Sequence, residues 1–166
     1  MPEQARQSVL RRGIVTGFIG ATAVAVWFLI VDLIAGHPLY TPHVLGAAVF
    51  GVLGPPAGES MATLVVAYTL FHYAAFAVIG IILAAIVSRS DSDPAVLAGL
   101  AVFAVIFLVG SFGFTALLSE WTALGNLAWY QIGAANLIAL VLMGGYLYRA
   151  YPRAGHGLIE ALGGRT

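Results

Sequence analysis

The stretch GIVTGFIGATAVAVWFLIVDLIA, residues 13–35, decides the fold, because Asp32 is its only charged residue. A helix rises about 1.5 Å per residue and a bilayer core is about 30 Å thick, so about 20 such residues cross it. Arg6, Arg11 and Arg12 precede the run, as they would precede a secretory signal. The run exceeds the roughly 7 to 15 residues of a signal core and shows no convincing cleavage site. A retained transmembrane helix over 14–35 is expected.

Three further runs have the same character, at about 60–88, 95–118 and 124–149. Each is apolar around most of its circumference, as a helix bordered by lipid and by neighbours must be. The four runs predict an all-α membrane protein, a four-transmembrane-helix bundle forming one integral membrane domain over 1–166. Composition agrees. Of the residues, 61% are hydrophobic and 8% charged, and a mean hydropathy of +0.97 leaves too little polar surface to coat a soluble globule. Ser90 to Asp93, followed by Pro94, form a polar break, with Asp93 and Pro94 suited to an N-cap and a first helical position.

Seven basic residues balance seven acidic ones, which gives no reason to expect nucleic acid as a partner. The absence of cysteine excludes disulfides, thiolate nucleophiles and iron–sulfur clusters. Charge position is more telling than charge total. All basic residues are arginines, at 6, 11, 12, 89, 149, 153 and 165, and all fall on one side of the predicted spans. The loops 36–59 and 119–124 contain none. Since cytoplasmic loops collect positive charge, both termini are expected in the cytoplasm of a bacterial inner-membrane protein, and a dual-topology dimer is disfavoured.

The connection between the first two spans carries its own short element. Thr41 and Pro42 suit an N-cap and first helical residue, 44–53 is apolar, and Gly54-Pro55-Pro56 is a firm stop. A segment over 42–53 is too short to cross the membrane and lacks a polar face, so a re-entrant or interfacial helix is predicted, covering the outer end of the bundle as a lid. Small residues at Gly13 and Gly17, Gly17 and Ala21, and Ala47 and Gly51 are spaced for close helix contact, assigned first to internal packing and second to dimerisation.

Two sets of polar residues are the candidates for chemistry. At the outer end stand Asp32, His37, His43, Glu59 and Glu120; the first four are of the types that ligate zinc, manganese or iron. Their spacing matches no known ligand motif, and solvated interfacial residues are the plainer reading. Asp32 differs, because an acid within an apolar helix calls for a polar partner. Deeper lie His72, with Tyr68 and Thr69 one turn before it, and Gln131 and Asn136 on the fourth span below Asn126. A histidine at mid-membrane depth is a candidate for proton relay, haem ligation or quinone contact; the plainer reading has it hydrogen-bonded to Tyr68, Thr69 or Asn136 to fix helix register. His37, His43 and His156 lie outside the spans, so intramolecular bis-histidine haem is not expected, which leaves a haem shared between protomers or a bound quinone as the open alternatives.

In helix count the chain resembles small multidrug-resistance exporters, but those carry a central glutamate where this first helix reads Ala23-Val24-Ala25-Val26. It resembles fluoride channels equally loosely, without their arginine after the glycine-rich stretch at Gly17 to Gly20. Neither resemblance implies a site here. The expected role is non-enzymatic: a small subunit or binding module that packs in the bilayer against itself or a larger membrane complex. One alternative is a transporter or channel with a polar path through Asp32, Tyr68, His72, Gln131 and Asn136. A second is a metal-dependent membrane enzyme using Asp32, His37, His43 and Glu59.

Overall fold

The computed structural model describes residues 3–53, 60–89, 100, 104 and 129–152. Among these the elements are all helical: α1 (Glu3–Ile34), α2 (Tyr40–Leu53), α3 (Met61–Arg89) and α4 (Trp129–Ala150). Three of them, α1, α3 and α4, are long and apolar enough to cross a membrane, and they correspond to the expected first, second and fourth spans. The expected third span, 95–118, lies outside the described residues except for Leu100 and Ala104. So do the break at 90–94, the Gly54-Pro55-Pro56 stop, Glu59, Glu120 and Asn126.

The first helix begins at Glu3, well before the expected residue 14. Hydropathy locates where the chain meets lipid, whereas Glu, Gln and Arg are good helix formers in water and carry the helix further. Its 32 residues reach about 48 Å, more than a bilayer core requires. The far end closes in a Schellman turn: His37 N–H donates to Asp32 O at 3.0 Å and Gly36 N–H to Leu33 O at 3.1 Å. Gly36 adopts φ 77°, where a side chain is disfavoured. Leu39 has φ 65° as well, a strained setting for a residue with a Cβ.

Packing is organised around α1. It lies most extensively against α3, then against α4, while α2 rests on α3 and α3 barely meets α4. Glycines set the α1–α3 spacing. A Cβ on Gly80 would collide with backbone atoms of Gly13 and Gly17, and one on Gly17 with the backbone of Phe76 and Ala77. The spaced small residues of α1 therefore serve a contact within the chain, as close backbone approach requires. Gly13 against Ile81, Gly17 against Ala77 and Ala21 against His72 descend α3 as α1 rises, so the two run antiparallel. On the other side, Arg12 lies over the ring of Tyr151 and Gly20 touches Met143, so α4 is also antiparallel to α1.

Val24 and Phe28 of α1 bury against Ala135, Ala139 and Met143 of α4, and a second cluster joins Ala84 and Val87 to Leu147 and Tyr151. Large apolar side chains cover the outside, among them Leu70 and Val141, respectively 68% and 63% exposed. Such a surface is costly in water and at home in lipid. Arg6, Arg11, Arg12, Arg89 and Arg149 gather at one end, and the α1–α2 turn with Asp32 stands at the other.

Candidate functional site: a chamber beneath α2

Asp32 is three residues from the α1–α2 turn and only 3% exposed. Its Oδ2 accepts the Thr41 backbone N–H at 2.8 Å, and its Oδ1 accepts the Thr41 hydroxyl at 2.8 Å. Thr41 had been expected to cap α2 with its own side chain. Instead α2 starts at Tyr40, and the capping carboxylate comes from α1. An acid there also meets the partial positive charge of the α2 N-terminus. A buried carboxylate is thereby satisfied without a cation, and the same two bonds fasten α2 to α1.

His72 faces the interior, 9% exposed. Its Nε2 lies 3.1 Å from the carbonyl oxygen of Ala21. A carbonyl only accepts, so Nε2 carries the proton and Nδ1 of the neutral ring is an acceptor. The partner is thus the α1 backbone and not Tyr68, Thr69 or Asn136. The reason lies one to two turns away, where the glycine contact brings the α1 backbone close to α3. Around the imidazole stand Phe76, Tyr68 and Tyr73, with ring centroids at 4.7, 5.6 and 5.9 Å. Thr22 and Tyr73 share a hydroxyl–hydroxyl hydrogen bond of 3.1 Å between α1 and α3. Thr69 donates to Val65 O at 2.7 Å, within its own helix.

These two polar stations line one cavity of about 210 Å³ between α1, α2 and α3. Asp32 and Thr41 stand at one end, His72 and Tyr68 at the other, with Phe28, Leu39 and Val65 among the apolar walls. Ala21 and Asp32 are eleven positions apart on α1, which places the His72 bond about 16 Å below the carboxylate, or halfway through a bilayer core. Tyr68 also lines the chamber, and its hydroxyl is able both to donate and to accept a hydrogen bond.

No known protein family, curated protein or solved structure matches this chain. Of the residues singled out in the sequence, the structure brings together Asp32, Tyr68 and His72. Gln131 and Asn136 are half-buried on α4, which contributes nothing to the chamber wall. His37 is exposed and His43 half-buried. Among the described residues no three histidine or carboxylate side chains are grouped to hold a metal ion, and Glu59 and Glu120 lie outside them.

Thr22, Thr41 and Tyr73 were missed as site residues. A signal existed for Thr41: an acid in an apolar helix needs donors, and Thr41 is the first residue after the turn to carry a hydroxyl on a short side chain beside its own N–H. None existed for Thr22 and Tyr73, whose pairing depends on the register of α1 against α3.

Proposed function

We propose that this chain is a small multi-pass membrane binding module, a four-helix bundle whose α2 closes a chamber for a small, largely apolar ligand. The observation that carries the reading is the chamber itself, apolar in most of its wall, with hydrogen-bonding groups at two depths. Ligand sites are commonly built this way. A cavity of about 150 Å³ can already hold a benzene-sized molecule, so a monocyclic ligand suits this one.

A fourth crossing is supported by direction. Since α3 and α4 both run antiparallel to α1, the chain leaves α3 at the arginine end and re-enters α4 at the Asp32 end. In lipid a helix is the economical way back. Arginines collected at one end support cytoplasmic termini and an inner-membrane setting; α2, about 21 Å long, would then lie re-entrant or interfacial on the outer side.

The test is retention. Wild-type protein purified from native membranes should carry a small molecule that Tyr68→Phe and His72→Phe lose, as read by mass spectrometry of the extract. Identical extracts from all three would sink the chamber as a binding site. Orientation is checked in the cysteine-free background: Ser60→Cys and Arg89→Cys should label from opposite faces of the membrane. The depth of the chamber favours a second reading, transport by a path that begins at Asp32 and reaches mid-membrane at His72. Solute uptake into protein-loaded vesicles, slowed by His72→Phe, would favour it over simple binding.

A further inference from the structure

The seam between α1 and α4 changes character along its length. At the arginine end it opens into a polar cavity of about 690 Å³, lined by Arg11 and Arg12 of α1, Arg149 of α4, and Gln7 and Tyr146. Among the described residues no carboxylate lines it; Glu3 borders a neighbouring cavity with Arg6 and Arg89. Arg12 is held in place over the Tyr151 ring, 4.7 Å from its centroid. Three arginines from two helices lining one cavity give it a positive potential that an anion would offset.

One helical turn further along the same seam, the wall becomes wholly different. An apolar groove of about 850 Å³ begins at Ile14 and Val15, passes Phe18 and Val26, and is flanked on α4 by Ile138 and Leu142. Ile14 and Ile30, both in its wall, are sixteen positions apart, about 24 Å along α1. One leaflet of a bilayer core is about 15 Å deep, so the groove is long enough for an acyl chain. A cationic pocket at headgroup level leading into an apolar furrow is complementary to one class of molecule.

We propose that the α1–α4 seam is a specific site for an anionic diacyl phospholipid, its phosphodiester held by Arg11, Arg12 and Arg149 and an acyl chain laid along the groove. The site rests on the chain being embedded in a bilayer and is independent of the chamber beneath α2. Guanidinium groups suit the phosphodiester because their paired N–H groups match two phosphate oxygens at once. Basic pockets between helices at a membrane face hold acidic lipid headgroups on the same principle.

The experiment is native mass spectrometry of the full chain, delipidated in detergent, with phosphatidylglycerol, phosphatidylcholine of the same acyl chains, or glycerol phosphate added. Phosphatidylglycerol should bind about tenfold more tightly than phosphatidylcholine, and glycerol phosphate should not compete. Arg11→Gln with Arg149→Gln should abolish the preference, and Arg11→Lys with Arg149→Lys should restore part of it. Val15→Trp with Leu142→Trp, which fills the groove and leaves the arginines in place, should weaken both lipids together. Equal binding of the two lipids, or a preference that survives removal of the arginines, overturns the site. Competition by glycerol phosphate would make it a free-anion site, and a dimer disrupted by Val15→Trp would give the groove to a second copy; either result overturns the lipid assignment. A chain that stays monodisperse without detergent would overturn the membrane reading as well.

Discussion

Replacing Asp32 is the most informative perturbation, because two bonds from its carboxylate hold the start of α2. In Asp32→Ala the Thr41 N–H and hydroxyl lose a charged acceptor while Thr41 itself is only 2% exposed. Hydrogen bonds to a charged group contribute about 1.5–3 kcal/mol each. Water reaching Thr41 from the chamber would recover part of that, leaving a net loss of at least about 2 kcal/mol in the closed state of α2, or about 30-fold in its open-to-closed ratio. Asp32→Asn should behave differently. Its carbonyl can accept the Thr41 N–H and its amide can donate to the Thr41 oxygen, so only the charge and its helix-dipole attraction are lost, about 0.3–1 kcal/mol. Val65→Cys, in the chamber wall, provides the assay, since the chain has no other cysteine. Its reaction with a small neutral thiol reagent should accelerate by an order of magnitude or more with Asp32→Ala and by less than about fivefold with Asp32→Asn. If Asp32→Ala changes neither the labelling rate by more than twofold nor the melting temperature, the carboxylate does not hold α2 and the reasoning fails.

Other outcomes follow from the helix contacts. Gly80→Val should separate α1 from α3, since any Cβ there meets the backbone of Gly13 and Gly17; a loss of about 1–3 kcal/mol in detergent unfolding is expected, and Gly144→Val, with open space around it, is the control. His72→Phe keeps the ring packing and removes the bond to Ala21, so a loss of about 1 kcal/mol is expected by the same measurement. Ser60 caps α3 by accepting the Thr63 N–H at 3.2 Å, so Ser60→Ala should cost about 1 kcal/mol and Ser60→Asp very little. At Leu39, with φ 65°, a β-branched valine should be less stable than glycine by about 1 kcal/mol.

Much of this architecture can be read from hydropathy, and its limits have physical causes. The three described spans were legible because an apolar run of membrane length has few other uses. The start of α1 was not, since helical propensity continues through Gln4 to Arg12 after hydropathy stops. Asp32 was marked as needing a partner by its cost in an apolar helix, but the partner's identity depends on the turn at Gly36 folding α2 back over it. His72 was legible as an inward residue. Its bond to Ala21 was not, because backbone carbonyls carry no sequence signature and come within reach only where glycines thin the interface. Gln131 and Asn136 were grouped with His72 by depth alone, and depth says nothing about which side of a helix a residue occupies.

The central position of α1 bears on biosynthesis. Of the three described membrane-length helices it is made first, and both α3 and α4 dock on it far more extensively than on each other. Each later helix thus finds most of its seat already formed, and the cluster of Ala84 and Val87 with Leu147 and Tyr151 closes the remaining contact between them. A chain severed between Arg89 and Trp129 and produced as two fragments should on that account still reassemble, with the second fragment recruited by the first helix of the other.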